Sequence, residues 1–279
     1  MFILWIIAGV IALLMIIVIY GVAPGKMSPD ASKKAGDFYG LNCAHRGLHS
    51  KDQKTPENSL PAFSAASEHG YGVELDVRLT KDEQIVVFHD DDLRRVCGID
   101  KPVNTLDYDE LSGLTLFETG ERIPLLSEAL EVLGDTPLIV ELKSDRKNIA
   151  MLCENTLNIL RKHAKTWCVE SFDPNVGAWF KKNAPDVLRG QLSSIPDKLD
   201  SVSRPTAFLL GNLLTNFLSR PHFIAYSNDP HPLCVRFCLL MSPMKVIWTI
   251  HPDDDIKKCE KENDVIIFEH YTPAPRYKS

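Results

Sequence analysis

Nine short apolar runs, each of β-strand length, recur along the chain between residues 41 and 270. Helical patterns separate many of them, and alternation of this kind predicts a parallel sheet whose faces are covered by helices. The runs are 41–46, 71–77, 84–90, 137–143, 166–172, 187–193, 222–228, 245–251 and 264–270. The stretch from Phe38 onward is about 240 residues long, the usual size of a (β/α)8 barrel. We therefore predict an α/β fold, a TIM barrel, over residues 38–279.

The second and third runs are separated only by the turn-like segment Lys81-Asp82-Glu83. A connection this short cannot cross over between parallel strands, so the two runs should form a β-hairpin and leave eight strands for the barrel. With the turn centred in this segment, Asp76 falls roughly opposite His89. Residues 91–123 are polar and turn-rich and interrupt the alternation, which predicts a small insertion after the hairpin.

Residues 2–21 form an apolar run without a charged side chain. Roughly 20 such residues span the hydrocarbon core of a bilayer as a helix. We predict a transmembrane anchor over residues 1–23. A linker should follow over residues 24–37, which are rich in Pro, Gly, Ser and Lys. A cleaved signal peptide is the competing interpretation, but no Lys or Arg precedes the run, and the run is long for a signal peptide.

The flanking charges predict the orientation of this anchor. Lys26, Lys33 and Lys34 follow the run, and the positive-inside rule then places the C-terminal domain in the cytoplasm of a single-pass membrane protein. The seven cysteines agree, because their number is odd, they form no Cys-x-x-Cys pair, and free thiols are typical of a reducing compartment.

The net charge of −6 argues against broad nucleic-acid binding, which needs a basic surface that displaces counterions. An acidic total does not exclude a local cationic pocket.

Three carboxylates fall inside or at the ends of apolar strand-like runs. Glu74 and Asp76 are two residues apart and so point to the same side of their strand, and Glu141 lies near the end of the next parallel strand. In a barrel the carboxyl ends of the strands converge on the active site. Three inward carboxylates repel one another without a cation, and a set of oxygen ligands favours one hard divalent ion, Mg²⁺ or Ca²⁺.

Other ionisable residues occur at the same strand ends. Arg46 and Lys143 supply positive charge for an anionic substrate, and arginine suits bidentate phosphate binding. His45 and His89 suit a general acid and a general base, because imidazole titrates near neutrality. A metal, a cationic clamp and paired histidines together indicate phosphoryl-ester chemistry.

Several short motifs, in this order along the chain, resemble the glycerophosphodiester phosphodiesterase family. They are His45-Arg46-Gly47, Pro56-Glu57-Asn58-Ser59, Glu74-Leu75-Asp76-Val77, His89-Asp90, Ile123-Pro124, Glu141-Leu142-Lys143, Ser171-Phe172 and Trp248-Thr249. The resemblance covers most of the chain from about Cys43 onward. It implies a TIM barrel with a small insertion, and 91–123 matches the place of that insertion.

The resemblance also implies a role for each site residue. Glu74, Asp76 and Glu141 would be the metal ligands. His45 and His89 would be the acid–base pair, in an order that the sequence leaves open.

The remaining implied roles concern the substrate. Arg46 and Lys143 would contact the phosphate, and Glu57 would support the site from behind them. Trp248 would pack against the glycerol or alcohol portion.

Two departures from the family pattern bear on substrate selectivity. The late Trp-Thr motif continues with Ile250-His251, where the family has an apolar residue and Asn. The final strand ends Phe268-Glu269-His270, where the family has Thr-Asp before a Pro. Both lie outside the expected metal ligands.

The expected reaction is hydrolysis of a small glycerophosphodiester to glycerol 3-phosphate and an alcohol. The alternative substrate is a membrane lysophospholipid, as for a lysophospholipase D. The apolar stretch 206–218 is open to two interpretations, a core helix or a helix lying against the bilayer. An inactive lipid- or phosphate-binding module would have lost a histidine or a carboxylate, and none is lost.

Overall fold

The computed structural model describes residues 1–278. Its strands are β1 (Leu41–His45), β2 (Gly72–Leu79), β3 (Ile85–Val87), β4 (Leu138–Leu142), β5 (Trp167–Ser171), β6 (Arg189–Ser193), β7 (Phe223–Ser227), β8 (Met244–Ile250) and β9 (Val265–Phe268). Its helices are α1 (Phe2–Val22), α2 (Pro29–Phe38), α3 (Leu60–Glu68), α4 (Arg94–Cys97), α5 (Tyr108–Ser112), α6 (Leu126–Leu133), α7 (Ile149–His163), α8 (Pro174–Asn183), α9 (Arg204–Gly211), α10 (Asn216–Ser219), α11 (Leu233–Leu239) and α12 (Ile256–Glu262).

Eight parallel strands close into a barrel, and the prediction of a TIM barrel is confirmed. The strand order is β1-β9-β8-β7-β6-β5-β4-β2, β1 also pairs with β2, and along the chain the last strand, β9, closes the ring by pairing with β1. Each barrel strand is buried, because side chains from alternate positions fill the interior while the others pack against the surrounding helices. The carboxyl ends of all eight strands therefore meet at one mouth of the barrel.

The ninth strand, β3, pairs with β2 in an antiparallel hairpin, as the short connection predicts. The register pairs Val77 with Val87, which places Asp76 opposite Phe88 rather than His89. The backbone amide of Phe88 donates a hydrogen bond to the carbonyl of Asp76 (3.0 Å). The amide of Thr80 donates to the carbonyl of Gln84, so the turn is centred on Asp82. His89 therefore lies one residue beyond the position expected for it, opposite Asp76.

Residues 91–123 pack as a small satellite unit beside this hairpin. Short helices α4 and α5 and two 3₁₀ turns (Val103–Thr105 and Leu116–Glu118) enclose an apolar cluster of their own. Phe88 and Ile123, at the two ends of the segment, both belong to that cluster.

The segment predicted to be a linker, 24–37, instead contains most of helix α2. Ser28 caps this helix by accepting a hydrogen bond from the amide of Ala31 (3.1 Å). Ala31, Ala35 and Phe38 are buried against the barrel interior beside Leu41. Helix α2 covers the amino-terminal mouth of the barrel. Its buried residues are spaced along one face of the helix, and composition alone does not show that spacing.

The apolar stretch 206–218 is not one helix. Helix α9 ends at Gly211, the chain reverses through Leu213 with a positive φ of 56°, and the short helix α10 follows. Ala207, Gly211 and Leu213 are buried, whereas Phe208 is more than half exposed.

Helix α1 is 21 residues long with a mean hydropathy of 3.2 in its most apolar window, and that window is exposed throughout. Its length and composition suit a membrane-spanning helix, and a signal sequence has the same properties. Its last turn is docked on the barrel: Asn216 donates from Nδ2 to the carbonyl of Val22 (3.0 Å), and Arg220 donates from Nη1 to the carbonyls of Tyr20 and Ala23 (both 2.9 Å).

Candidate active site

Three buried carboxylates converge at the carboxyl-terminal mouth of the barrel. Oxygens of Glu74, Asp76 and Glu141 all lie within 4.8 Å of one another. The strand register explains this, since Asp76 pairs with Glu141 across β2 and β4, and Glu74 pairs with His45 across β1 and β2. Adjacent strands thus place these polar residues at the same height along the barrel axis and on the same side of the sheet.

Burial and mutual repulsion determine the charge of this cluster. Burial, with Asp76 and Glu141 nearby, raises the pKa of Glu74 well above its ordinary value. Burial likewise raises the pKa of Glu141. Burial also opposes ionisation of Asp76, but Lys143 and other neighbouring cations outweigh it and hold the pKa of Asp76 well below its ordinary value. A bound divalent cation would relieve the repulsion that raises the two glutamate pKa values.

Lys143 lies against the same cluster. Its Nζ is 2.7 Å from Oε2 of Glu141 and 3.1 Å from Oδ1 of Asp76. Burial alone would lower the pKa of Lys143, yet these two carboxylates raise it overall, so the side chain stays charged.

Arg46 approaches the cluster from the other side. Its Nε is 3.3 Å from Oδ2 of Asp76, and its Nη1 donates to Oε1 of Glu57 (2.7 Å). Glu57 also accepts hydrogen bonds from Arg95, at 2.7 and 2.9 Å. Glu57 therefore holds the Arg46 guanidinium in place while sharing its charge with a second arginine.

The backbone after β1 takes a left-handed turn that aims Arg46 into the site. Arg46 and Gly47 have φ values of 54° and 80°, and the Arg46 amide donates to Oε2 of Glu74 (3.2 Å). A Cβ at Gly47 would come within 2.9 Å of the Ala62 backbone, so only glycine fits at this point.

His45 lies between two carboxylates. Its Nε2 is 3.9 Å from Oε2 of Glu74, and its Nδ1 is 3.7 Å from Oε2 of Glu269. Burial lowers the pKa of His45 to about 4, because desolvation outweighs the contribution of Glu269. The imidazole is therefore neutral at pH 7 and able to accept a proton.

His89 lies at the rim of the mouth and is better exposed. Its Nδ1 is 2.6 Å from Oδ1 of Asp90, and its carbonyl accepts two hydrogen bonds from the Arg78 guanidinium, at 2.7 and 3.0 Å. Arg95 bonds the Asp90 carboxylate in turn, at 2.7 and 3.0 Å. The backbone and the ring of His89 are both held by these hydrogen bonds, which fixes the direction of the ring's Nε2.

Trp248 lies farther from the carboxylates than the other expected site residues. Its ring packs edge-on against Phe172 with centroids 5.7 Å apart. Phe172 in turn lies 5.9 Å from Nζ of Lys143. Trp248 lines an adjoining cleft of about 420 Å³ with Phe172.

The structure adds residues that the sequence reasoning did not single out. Asn58 donates from Nδ2 to Oδ2 of Asp76 (2.9 Å). Glu170 pairs with Glu141 across β4 and β5, is buried, and has an Oε2 without a hydrogen-bond partner. Burial and the neighbouring Glu141 raise the pKa of Glu170 well above its ordinary value. The signal for Glu170 was available, since it is an acid within an apolar strand, as Glu141 is.

Comparisons with known proteins agree with this fold. The model of the glycerophosphoryl diester phosphodiesterase family matches residues 45–234. The glycerophosphodiester phosphodiesterase of Caldanaerobacter subterraneus subsp. tengcongensis is 38% identical over 37% of this chain and 44% of its own length. Lysophospholipase D GDPD1 of Homo sapiens is 31% identical over 48% of this chain and 46% of its own length. The chain thus spans about half the length of the curated relatives it matches.

Solved structures share the barrel over most of its length. A glycerophosphodiester phosphodiesterase from Thermotoga maritima is 27% identical, with a TM-score of 0.62 over 82% of this chain and 93% of that one. An Oleispira antarctica phosphodiesterase, in complex with the product sn-glycerol-3-phosphate, shares the fold with a TM-score of 0.68, 24% identity, and coverage of 84% of this chain and 94% of that one.

The fold and site define the class of this protein as a TIM barrel with an acidic cluster suited to a divalent cation and with histidines and cations around it. Because the family model matches more than half of the sequence, the chain belongs to the glycerophosphoryl diester phosphodiesterase family.

Proposed function

We propose that this protein hydrolyses small glycerophosphodiesters to glycerol 3-phosphate and an alcohol. The observation that carries the proposal is the juxtaposition of three buried carboxylates with two cations, Lys143 and Arg46, at the carboxyl-terminal mouth of the barrel. An anionic diester needs both a cation and fixed positive charge, and this mouth has residues for each.

The carboxylates fit one hard divalent ion, Mg²⁺ or Ca²⁺. Glu74, Asp76 and Glu141 offer only oxygen ligands, which both ions prefer. Such an ion supplies a Lewis acid for the phosphoryl group and the attacking hydroxyl.

Arg46 and Lys143 bind the phosphate in this proposal. Both side chains are mostly buried and stay charged, so their attraction for an anion is little screened by water. Glu57 orients Arg46, and Trp248 forms an apolar wall, with Phe172, for the glycerol or alcohol portion.

His45 and His89 move the protons. One imidazole accepts the proton of a glycerol hydroxyl as its oxygen attacks phosphorus, and the other donates a proton to the alcohol oxygen as its bond to phosphorus breaks. Water then opens the resulting cyclic phosphate by the reverse proton transfers. Neutral His45 suits the base, and His89, whose ring is held by the bond from Nδ1 to Asp90, suits the acid.

The test uses the purified full chain in detergent with glycerophosphocholine as substrate and Mg²⁺ or Ca²⁺ added. We expect choline release that EDTA abolishes and that His45→Ala or His89→Ala lowers by at least about 100-fold. His163→Ala, on the exposed end of α7, is the matched control. Full activity in EDTA or in both catalytic variants would rule out this function.

Lysophospholipids are a second candidate substrate class, favoured by the shape of the mouth. A cleft of about 720 Å³ runs from Lys143 and His89 to the apolar side chains of Leu209 and Leu210 on α9. A single acyl chain needs such an apolar continuation beyond the phosphate.

The surface beside this cleft is also apolar. Exposed large hydrophobic side chains lie on α9, α10 and α11, and α1 packs against the last two of these helices. These side chains are Phe208, Leu209, Phe217, Leu233 and Phe237, with Leu240 directly after α11. We infer that this surface rests on the bilayer that α1 enters.

The double variant Phe208→Ser with Phe217→Ser separates the two substrate classes. We expect hydrolysis of lysophosphatidylcholine in phosphatidylcholine vesicles to fall several-fold, while hydrolysis of soluble glycerophosphocholine stays unchanged. Met151→Ser, which removes an exposed hydrophobic side chain from α7, should change neither rate. Equal lysolipid rates in the double variant and the wild type would exclude the membrane-facing surface.

The proposed location is a membrane, with α1 as an uncleaved single-pass anchor and the barrel in the cytoplasm. The seven cysteines are all unpaired, which agrees with a reducing compartment. Intact mass of the membrane-extracted protein tests cleavage, and digestion of sealed cells with an impermeant protease tests orientation. Loss of the first 20 or so residues, or digestion of the barrel from outside, would overturn this location.

A further inference from the structure

Four imidazoles surround one carboxylate where β9 meets β1. Glu269 follows β9 directly, and its oxygens lie 2.9 Å from His49, 3.4 Å from His270, 3.7 Å from His45 and 3.8 Å from His251. His45 also lies beside Glu74 in the candidate active site, so this cluster adjoins that site and shares His45 with it, while Glu269 and the other three histidines are not among its three carboxylates.

Three of these residues present ligand atoms to a common point. Nε2 of His49, a carboxylate oxygen of Glu269 and a ring nitrogen of His270 all lie within 4.8 Å of one another. The His49 side chain is only 2% exposed, and its Nε2 has no hydrogen-bond partner although Oε1 of Glu269 is 2.9 Å away. The two atoms are therefore close without being aligned on each other, as expected for ligands aimed at a third atom.

The other ring nitrogen of His49 lies within reach of both an acceptor and a donor. Nδ1 faces the carbonyl of Ser50 at 3.4 Å and the side-chain amide of Gln53 at the same distance. Oε1 of Gln53 accepts from the Glu57 amide, so Nε2 of Gln53 faces Nδ1 as a donor. Coordination through Nε2 of His49 therefore requires the ring proton to move to Nδ1, where the Ser50 carbonyl accepts it.

The chemistry of this donor set differs from that of the carboxylate cluster. Two imidazoles and one carboxylate select borderline transition-metal dications such as Zn²⁺, whereas three carboxylates select hard ions. Three protein ligands leave a fourth position for water or for a further imidazole, since Nδ1 of His45 and Nδ1 of His251 lie 3.7 and 3.8 Å from Oε2 of Glu269.

We propose that His49, Glu269 and His270 form a second metal site, specific for a Zn²⁺-class ion. The site joins the loop after β1 to the end of β9, two strands that pair directly at the closing seam of the barrel. Occupancy therefore stabilises that seam, since a metal that binds only the folded chain shifts the unfolding equilibrium.

The test is a Co²⁺ titration of the metal-stripped, untagged full chain in detergent, with excess Mg²⁺ present. Co²⁺ is the probe because its visible absorption is intense in a four- or five-coordinate site and weak in a six-coordinate one, and Zn²⁺ should then displace it. We expect one equivalent to bind and to raise the thermal unfolding midpoint. His49→Gln and His270→Gln should each weaken binding by at least about 100-fold.

Two controls make the result specific to these residues. His163→Gln, on the exposed end of α7, should bind as the wild type does, and so should Glu141→Gln, which alters the carboxylate cluster. If His49→Gln fails to fold by circular dichroism, His270→Gln decides, because that side chain is partly exposed. Unchanged binding in the folded histidine variants, or loss of binding in Glu141→Gln, overturns the proposal.

Discussion

Nδ1 of His89 lies 2.6 Å from Oδ1 of Asp90, the residue that follows it in sequence. Burial opposes ionisation of Asp90, but its hydrogen bonds with His89 and Arg95 hold its pKa below the ordinary value. Asp90 therefore stays ionised and keeps the proton of a neutral His89 ring on Nδ1. That tautomer leaves Nε2 to exchange protons with substrate.

Asp90→Asn should accordingly lower kcat about 10- to 100-fold with little change in KM, because the amide no longer selects the tautomer of the His89 ring. The measurement is steady-state hydrolysis of glycerophosphocholine over a range of pH. Asp100→Asn is the control, since Asp100 is exposed and its carboxylate pairs with Arg94 rather than with a histidine. A wild-type kcat in Asp90→Asn would show that His89 does not depend on this carboxylate.

Glu141→Gln removes one of three carboxylates that we propose hold the hard cation. We expect the Mg²⁺ or Ca²⁺ concentration required for half-maximal activity to rise at least about 10-fold, with a lower kcat, because a neutral amide is a weaker ligand. Titration of activity with each metal measures this. Glu131→Gln, on the exposed side of α6, should leave the metal dependence unchanged. The same half-maximal concentration in both variants contradicts the ligand role.

Gly47→Ala tests the turn that directs Arg46. With φ at 80° and the Ala62 backbone 2.9 Å from the new Cβ, the variant should lose more than about 2 kcal/mol of stability. Gly36→Ala is the opposite control, because its Cβ meets nothing within 4 Å inside helix α2 and should stabilise by up to about 1 kcal/mol. Urea unfolding in detergent measures both, and equal stabilities for the two variants would refute the steric argument.

His222 should make stability depend on pH. Burial, with Arg189 nearby, lowers the pKa of His222 to about 4, whereas the unfolded chain titrates near 6.5. Between these values the unfolded state binds more protons, so this residue's contribution falls as pH decreases from 6.5 towards 4, by up to about 3 kcal/mol.

The measurement for His222 is the difference in unfolding free energy between wild type and His222→Gln at several pH values. Taking the difference cancels the contribution of the carboxylates to the pH dependence, because they titrate in both proteins. The advantage of the wild type should shrink with acidification and be constant above pH 7. A difference that does not vary with pH would mean that His222 is protonated equally in both states.

Local sequence patterns were enough to predict the barrel and to place its polar residues at the carboxyl ends of the strands. Strand length, apolar periodicity and the short connection at Lys81-Asp82-Glu83 depend on neighbours in sequence, so the hairpin and the eight-strand ring follow from them. Glu74 and Asp76 share a side of β2 because side chains alternate along a strand. The register between β2 and β3 was less predictable. Asp76 faces Phe88 because a shift of one residue in the turn changes every pairing beyond it.

The sequence by itself determined the barrel, the family and the strand ends on which the candidate site residues lie, since each rests on contiguous patterns. Tertiary structure alone decided that α2 closes the barrel floor, that 206–218 breaks into two helices, and that His49 meets Glu269. The last two residues are separated by most of the chain, and no local pattern encodes their distance. They meet because β1 and β9 become neighbours only when the ring closes.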